Sequence, residues 1–148
     1  MSSPRRLFRA AAVAEAVTWA LLLFGMFLKY VTETTEVGVR VFGLLHGIVF
    51  VGFCLVTVLV AIDQRWSAGR LLLGLVSAVP PFATVGFDAY AERRGWLADS
   101  WRLLGQEQAR AIDRPVAWLL HHPGRGAIVG VVAAGVLTGL ALAVGPPA

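Results

Sequence analysis

Four apolar stretches, residues 7–30, 39–62, 71–87 and 126–144, constrain this chain more than anything else in it. At ~1.5 Å per helical residue each approaches or exceeds the ~30 Å of bilayer hydrocarbon, the third being the shortest. Hydrocarbon offers no water to an exposed backbone, so such stretches must close their own hydrogen bonds as helices. Composition agrees: 57% of the 148 residues are hydrophobic and the mean hydropathy is +0.72. Soluble domains use ~45–50% apolar residues, so a chain of this kind needs lipid rather than a larger core. The expected fold class is an all-α membrane protein. It has a three-helix transmembrane core over 1–91, an amphipathic interfacial segment over 92–125 and a fourth, C-terminal transmembrane helix over 126–148.

The remaining composition narrows partners more than chemistry. Net charge is +4, and every basic residue except Lys29 is arginine. Spread over a polytopic chain, these charges suit topology signals and lipid headgroups, not a nucleic-acid surface. Cys54 is the sole cysteine, so neither an internal disulfide nor a CxxC metal site is available. The N-terminus begins like a signal peptide, with Arg5 and Arg6 before an apolar run. Glu15 interrupts that run, which continues to Tyr30, beyond the ~7–15 residues of a signal h-region. An uncleaved signal anchor and a multi-pass place in the inner (plasma) membrane are therefore expected.

Between the third and fourth stretches, Trp96, Trp101 and Trp118 alternate with Arg93, Arg94, Arg102, Arg110 and Arg114. Leu97, Trp101, Leu104, Gln108 and Ile112 recur at helical spacing. Asp99 is placed to cap one helix start and Asp113, before Arg114-Pro115, a second. The spacing predicts one or two amphipathic helices in the interface, with an ordinary soluble connector as the alternative. Orientation is divided: Arg5, Arg6 and Arg9 favour a cytoplasmic N-terminus, whereas the arginines of the last loop favour the opposite if three spans precede it. The first helix usually dominates, which favours N-in. The GxxxG pairs Gly43–Gly47, Gly126–Gly130 and Gly135–Gly139 allow close helix approach in lipid.

Within the stretches, the polar residues share faces. Glu15, Thr18 and Lys29 lie on one side of the first helix, His46 and Thr57 on one side of the second, and Ser77, Thr84 and Asp88 on one side of the third. An ionisable side chain in hydrocarbon costs at least ~2.5–3.5 kcal/mol on insertion scales, so these stripes should face a bundle interior as one polar seam. Counting depth along three antiparallel spans predicts two layers. Glu15 falls with Thr57, Ser77 and the carbonyls freed near Pro80-Pro81, and His46 with Asp88, Thr84 and Lys29, ~12 Å away. Pro80-Pro81 should kink or unwind the third helix. Bland roles exist for each residue: a hydrogen-bonded structural acid at Glu15, a packed histidine at His46, a snorkelling Lys29 beside a belt Tyr30, a solvated helix end at Asp88.

No phosphate loop, HExxH, nucleophile elbow or cysteine cluster occurs, so neither catalytic residues nor metal ligands are assigned and no cofactor is expected. The sequences FRAAAVAEAVTWALLLFGMFLKY, VFGLLHGIVFVGF and SAVPPFATVGFDAY resemble a family of small bacterial integral-membrane proteins without an established function. The resemblance rests on Ala14-Glu15, Met26 to Tyr30, His46-Gly47, Arg65-Trp66 and Pro81 to Thr84, over about residues 6–91. Phe27 replaces the family's usual proline, and Ala83 its usual glycine. The resemblance implies a shared membrane topology and importance for Glu15, Lys29 and His46. Function is expected to be non-enzymatic: an accessory membrane subunit binding a partner or small ligand at the seam, as a homo-oligomer or within a larger complex. The alternative is an oligomeric proton or cation relay, or a small-solute transporter, using Glu15, His46 and Asp88.

Overall fold

A computed structural model describes residues 3–105 and 110–145, all of whose regular elements are helices. Two 27-residue helices, α1 (Pro4–Tyr30) and α2 (Val37–Asp63), form an antiparallel pair. Each is ~40 Å long, enough to cross a membrane. Ser3 starts α1 by accepting a hydrogen bond from the Arg6 amide (3.3 Å), ahead of Pro4 in the first turn. The pair closes at its far end on glycine. A Cβ on Gly25 would lie 2.8 Å from the Gly38 carbonyl carbon and 2.9 Å from the Val39 amide nitrogen. The backbones thus touch at Gly25 and Gly38, and not through the Gly43–Gly47 pair, where Gly47 has open space beside it.

The third apolar stretch departs from expectation. In place of one kinked span, the chain forms α3 (Ala68–Val76) and α4 (Ala83–Arg93), nine and eleven residues long. At ~13 and ~16 Å neither can cross a bilayer. Pro80 and Pro81 supply no amide donors, and Phe82 follows with φ 65°, a left-handed conformation that turns the chain back. Other groups take up the carbonyls that the turn opens: Ser77 Oγ donates to Gly74 O (2.6 Å), Trp19 Nε1 to Ala78 O (3.4 Å) and the Ala83 amide to Pro80 O (3.2 Å). The two short helices pack together at Gly74, where an added Cβ would sit 2.9 Å from Thr57 Cγ2 and 3.3 Å from Phe87.

The hairpin returns to the end from which it rose. Ascending α1, Arg5 pairs with Glu92, Arg9 with Asp88, Glu15 with Thr84 and Trp19 with Ala78, the order of an antiparallel neighbour. At the base, Trp66 Nε1 donates to Trp96 O (2.9 Å) and the Arg70 guanidinium lies 4.6 Å from the Trp96 ring centre. The tip at Ala78 stands ~22 Å up α1 from Pro4.

The segment after the hairpin, where one or two amphipathic helices are expected, packs into the basal core. Leu97, Trp101 and Leu103 are buried with Phe8, Phe53 and Val60, while Leu104 and Ile112 are exposed and Gln108 lies outside the described residues. A short α5 (Arg102–Gly105) and α6 (Asp113–His121) follow. α6 starts at Asp113, but its N-cap is Ile112 and no side chain caps it, and Asp99 caps no described helix and pairs with Arg5 (3.1 Å). Asp63, at the end of α2, accepts from the amides of Arg102 (3.2 Å) and Leu103 (3.0 Å). Arg102 reciprocates by donating to the carbonyls of Asp63 (2.5 Å) and Ile62 (3.2 Å), satisfying the negative end of α2. Finally α7 (Pro123–Val144), 22 residues, runs back along α2 and is long and apolar enough to cross a membrane.

Two predictions follow from this geometry. In a Cys54→Ser background, Arg6→Cys and Arg94→Cys should react with a membrane-impermeant thiol reagent from the same side, and Thr35→Cys from the other. Labelling of position 94 together with position 35 would establish a spanning third segment. Gly25→Leu should lower the thermal unfolding midpoint in detergent, as overpacking of a closed contact costs ~1–3 kcal/mol.

Candidate functional site: a buried polar ladder

The inner face of α1 carries polar groups at three heights. Nearest the base, Arg9 Nε donates to Asp88 Oδ2 (3.0 Å), and its terminal nitrogen pairs closely with Glu92. Asp88 is buried while Arg9 is half-exposed, so the guanidinium reaches from the surface to a carboxylate held within the hairpin interface. Arginine is suited to this reach, with an apolar stem and a forked head able to serve two carboxylates.

One turn and a half higher, Glu15 is fully buried, and its Oε2 accepts from Thr84 Oγ1 (2.9 Å). The same hydroxyl lies 3.0 Å from the Ala12 carbonyl, so Thr84 shares its one proton between two acceptors on α1. Among the described residues, Glu15 Oε1 is buried without a hydrogen-bond partner. Thr84 is the second residue of α4, and it reaches α1 because the reversal at Phe82 delivers it there.

The third height belongs to His46. Its Nδ1 lies 3.1 Å from Thr18 Oγ1, and Thr18 donates in turn to the Glu15 backbone carbonyl (2.8 Å). With its proton committed to that carbonyl, Thr18 accepts from the imidazole, which assigns the Nδ1–H tautomer. The Trp19 ring packs on the imidazole with centroids 4.5 Å apart, and Phe50 lies beyond it at 6.3 Å. His46 is thereby held among aromatics with a single side-chain hydrogen bond.

The expected layers are therefore redistributed. Glu15 and His46 remain in separate layers, linked only through Thr18 and the α1 backbone. Thr84 sits with Glu15 and not with His46, and Asp88 lies below Glu15 instead of level with His46. The depth count ran upward along one continuous third span, whereas the reversal after Val76 carries everything beyond it back toward the base. Thr57 donates to its own helix at Phe53 O (2.8 Å), and Ser77 likewise to Gly74 O. Both flank the hairpin, and among the described residues neither hydrogen-bonds Glu15. Lys29 stands apart, 3.7 Å from Glu36 and 5.2 Å from the Tyr30 ring centre, as an end-of-helix anchor.

Several contributors had no sequence signal. Arg9 reads as a topology charge until α4 brings Asp88 and Glu92 to it. Trp19 finds its polar partner only where the hairpin tip presents Ala78 O. Asp63 and Arg102 are 39 residues apart and become partners only through the basal packing. Neither the cleft walled by Lys29 and residues 33–36 nor the basal one near Arg65 reaches the ladder, which is filled by side chains. Among the described residues no three His, Cys, Asp or Glu converge as a metal site.

Comparisons with known proteins cover the ladder. A family described as a domain of unknown function, DUF3817, matches residues 5–93, the segment from the start of α1 to the end of α4. A Streptomyces coelicolor protein, SCO5905, provisionally described as a membrane protein, is 53% identical over 93 residues. That similarity covers 62% of this chain and 11% of the longer protein, so the matched part is about one-tenth of its relative. No solved structure matches the chain.

Thr84→Val should strand Glu15 Oε2, while the Ala12 carbonyl keeps its helix bond, and lower stability by ~1–3 kcal/mol. Thr57→Val, which removes only an intrahelical bond, should cost less. Equilibrium unfolding of both variants in the same detergent checks the order, and equal losses would remove the ladder's role in holding the hairpin.

Proposed function

The chain belongs to the DUF3817 family, and from that premise we propose that it is a non-enzymatic accessory subunit in the plasma membrane, built to associate with another membrane polypeptide. The observation carrying this reading is the set of small-residue faces that α2 and α7 leave open. Gly47 on α2 and Gly130, Gly135 and Gly139 on α7 have nothing within 4 Å of an added Cβ, leaving small-residue faces open for close packing in lipid.

Orientation follows from the hairpin. Arg5, Arg6, Arg9, Arg65, Arg70, Arg93, Arg94, Arg102, Arg110, Arg114 and Arg125 belong to the basal end or its connecting segments, against Lys29 and Arg40 at the other. The positive-inside rule then assigns the base to the cytoplasm, in agreement with the first helix. The seam in this reading holds the hairpin against α1 so that one defined surface meets the partner.

A proton relay is the second reading. It is favoured by Glu15 Oε1 and Asp88 Oδ1, both buried without hydrogen-bond partners among the described residues. Intramembrane acids of this kind are a recurrent feature of proton paths. Two measurements separate the readings. Purification in mild detergent followed by native mass spectrometry should recover a stoichiometric partner or a homo-oligomer, and a bare monomer counts against the subunit reading. Proton flux in liposomes that is lost in Glu15→Gln would favour the relay; equal, background flux in wild type and variant removes it.

A further inference from the structure

Where α2 ends and α6 begins, the basal end holds a cleft of about 150 Å³ with Arg65, Trp66, Leu71, Arg110, Ile112 and Asp113 among its walls. We propose that this cleft binds the phosphodiester headgroup of an anionic phospholipid. Arg65 and Arg110 are exposed, and no ion pair engages either among the described residues. The single carboxylate in the walls, Asp113, is 1% exposed and is matched from behind by Arg102, whose Nη2 donates to Asp113 Oδ1 (3.4 Å). Among the described residues, Arg102 Nη1 and Asp113 Oδ2 are both buried without partners, so this ion pair leaves one donor and one acceptor unspent beside the cleft. Two wall arginines against one neutralised aspartate leave a net positive recess of the size of a phosphate group.

The backbone adds to that charge. α6 starts at the cleft with Ile112 as its N-cap, so the positive end of the helix dipole lies there, although the Asp113 amide is already bound to Arg110 O (3.0 Å) and Pro115 has none. Arg65 has φ 53° at the end of α2, where the Trp66 amide bonds back to Ala61 O (2.8 Å). Helices usually place glycine at such a left-handed C′ position, and arginine is held there against its steric preference with its side chain in the cleft wall.

Inorganic phosphate shares the headgroup's chemistry, and the apolar walls choose between them. Leu71, Ile112 and the Trp66 ring border the arginines, and Trp66 is fixed by its bond to Trp96 O. An anion with an attached glycerol and acyl chains uses both kinds of wall, whereas a free ion uses one. The cleft also sits at the end of α2, a helix long and apolar enough to cross a membrane, and the ends of such helices meet the headgroups. Basic recesses at that level are common lipid-headgroup sites.

The test titrates delipidated protein in mild detergent with phosphatidylglycerol, phosphatidylcholine or inorganic phosphate, reading bound species by native mass spectrometry. Phosphatidylglycerol should bind in preference to phosphatidylcholine, and Arg65→Gln with Arg110→Gln together should weaken it about tenfold or more. Arg6→Gln with Arg94→Gln, the same charge change away from the cleft, should leave binding unchanged. If the Arg65 variant unfolds, Arg110→Glu alone carries the comparison, because position 110 lies outside any helix. Equal affinity in wild type and cleft variants overturns the proposal. So does phosphate binding without phosphatidylglycerol binding, which would make this a free-anion site.

Discussion

The reversal at residues 77–82 is the constraint on which the rest of the molecule depends. Backbone polar groups in a membrane need internal partners, and two consecutive prolines remove two donors while freeing the carbonyls before them. The protein meets this by turning the chain: the Val79 amide takes up the Val76 carbonyl (3.0 Å), and Ser77, Trp19 and Ala83 hydrogen-bond the Gly74, Ala78 and Pro80 carbonyls that the turn opens. A continuous helix would have lacked amide donors for the Val76 and Ser77 carbonyls, four residues before the prolines. The turn also decides where Thr84, Asp88 and Glu92 come to rest, since each lies beyond it.

From that reversal the polar ladder follows. An antiparallel α4 sets its polar residues against α1 at intervals of about one turn, so Arg9–Asp88 and Glu15–Thr84 form in register. Each interaction has a different physical character. The lower one is a charge pair with an exposed member; the middle one is a buried carboxyl and hydroxyl; the upper one joins Thr18 to an imidazole among aromatic rings. Unmaking any of them leaves a polar group in a low-dielectric interior, and that penalty makes the arrangement specific. The ladder thus fixes one position of the hairpin against α1.

The reversal also gathers charge. With α3 and α4 returning to their starting end, the N-terminus, the α2–α3 turn and the segment before α7 all lie together. The arginines of those segments form one basic end, and the conflict between early and late positive charges disappears. Asp63 and Arg102 then tie α2 to the segment that follows the hairpin, and the cleft beside Arg65 forms in the same region.

Much of this was legible in the sequence, and the boundary is physical. Length and hydropathy identified α1, α2 and α7, because a membrane-crossing helix is a local property of some twenty apolar residues. Helical spacing put Glu15, Thr18, His46 and Thr84 on inward faces for the same reason, since periodicity within a helix needs no knowledge of its neighbours. The sequence also marked Pro80-Pro81 as a break. Whether the chain continued across the membrane or turned back depended on Trp19, a donor supplied by α1, and on Thr57 of α2, the close contact that meets Gly74. Pairings such as Arg9 with Asp88 and Asp63 with Arg102 were likewise decided by tertiary structure, since each joins groups brought together only after the hairpin closes. Local chemistry determined which residues would be polar and inward; packing decided which of them would meet.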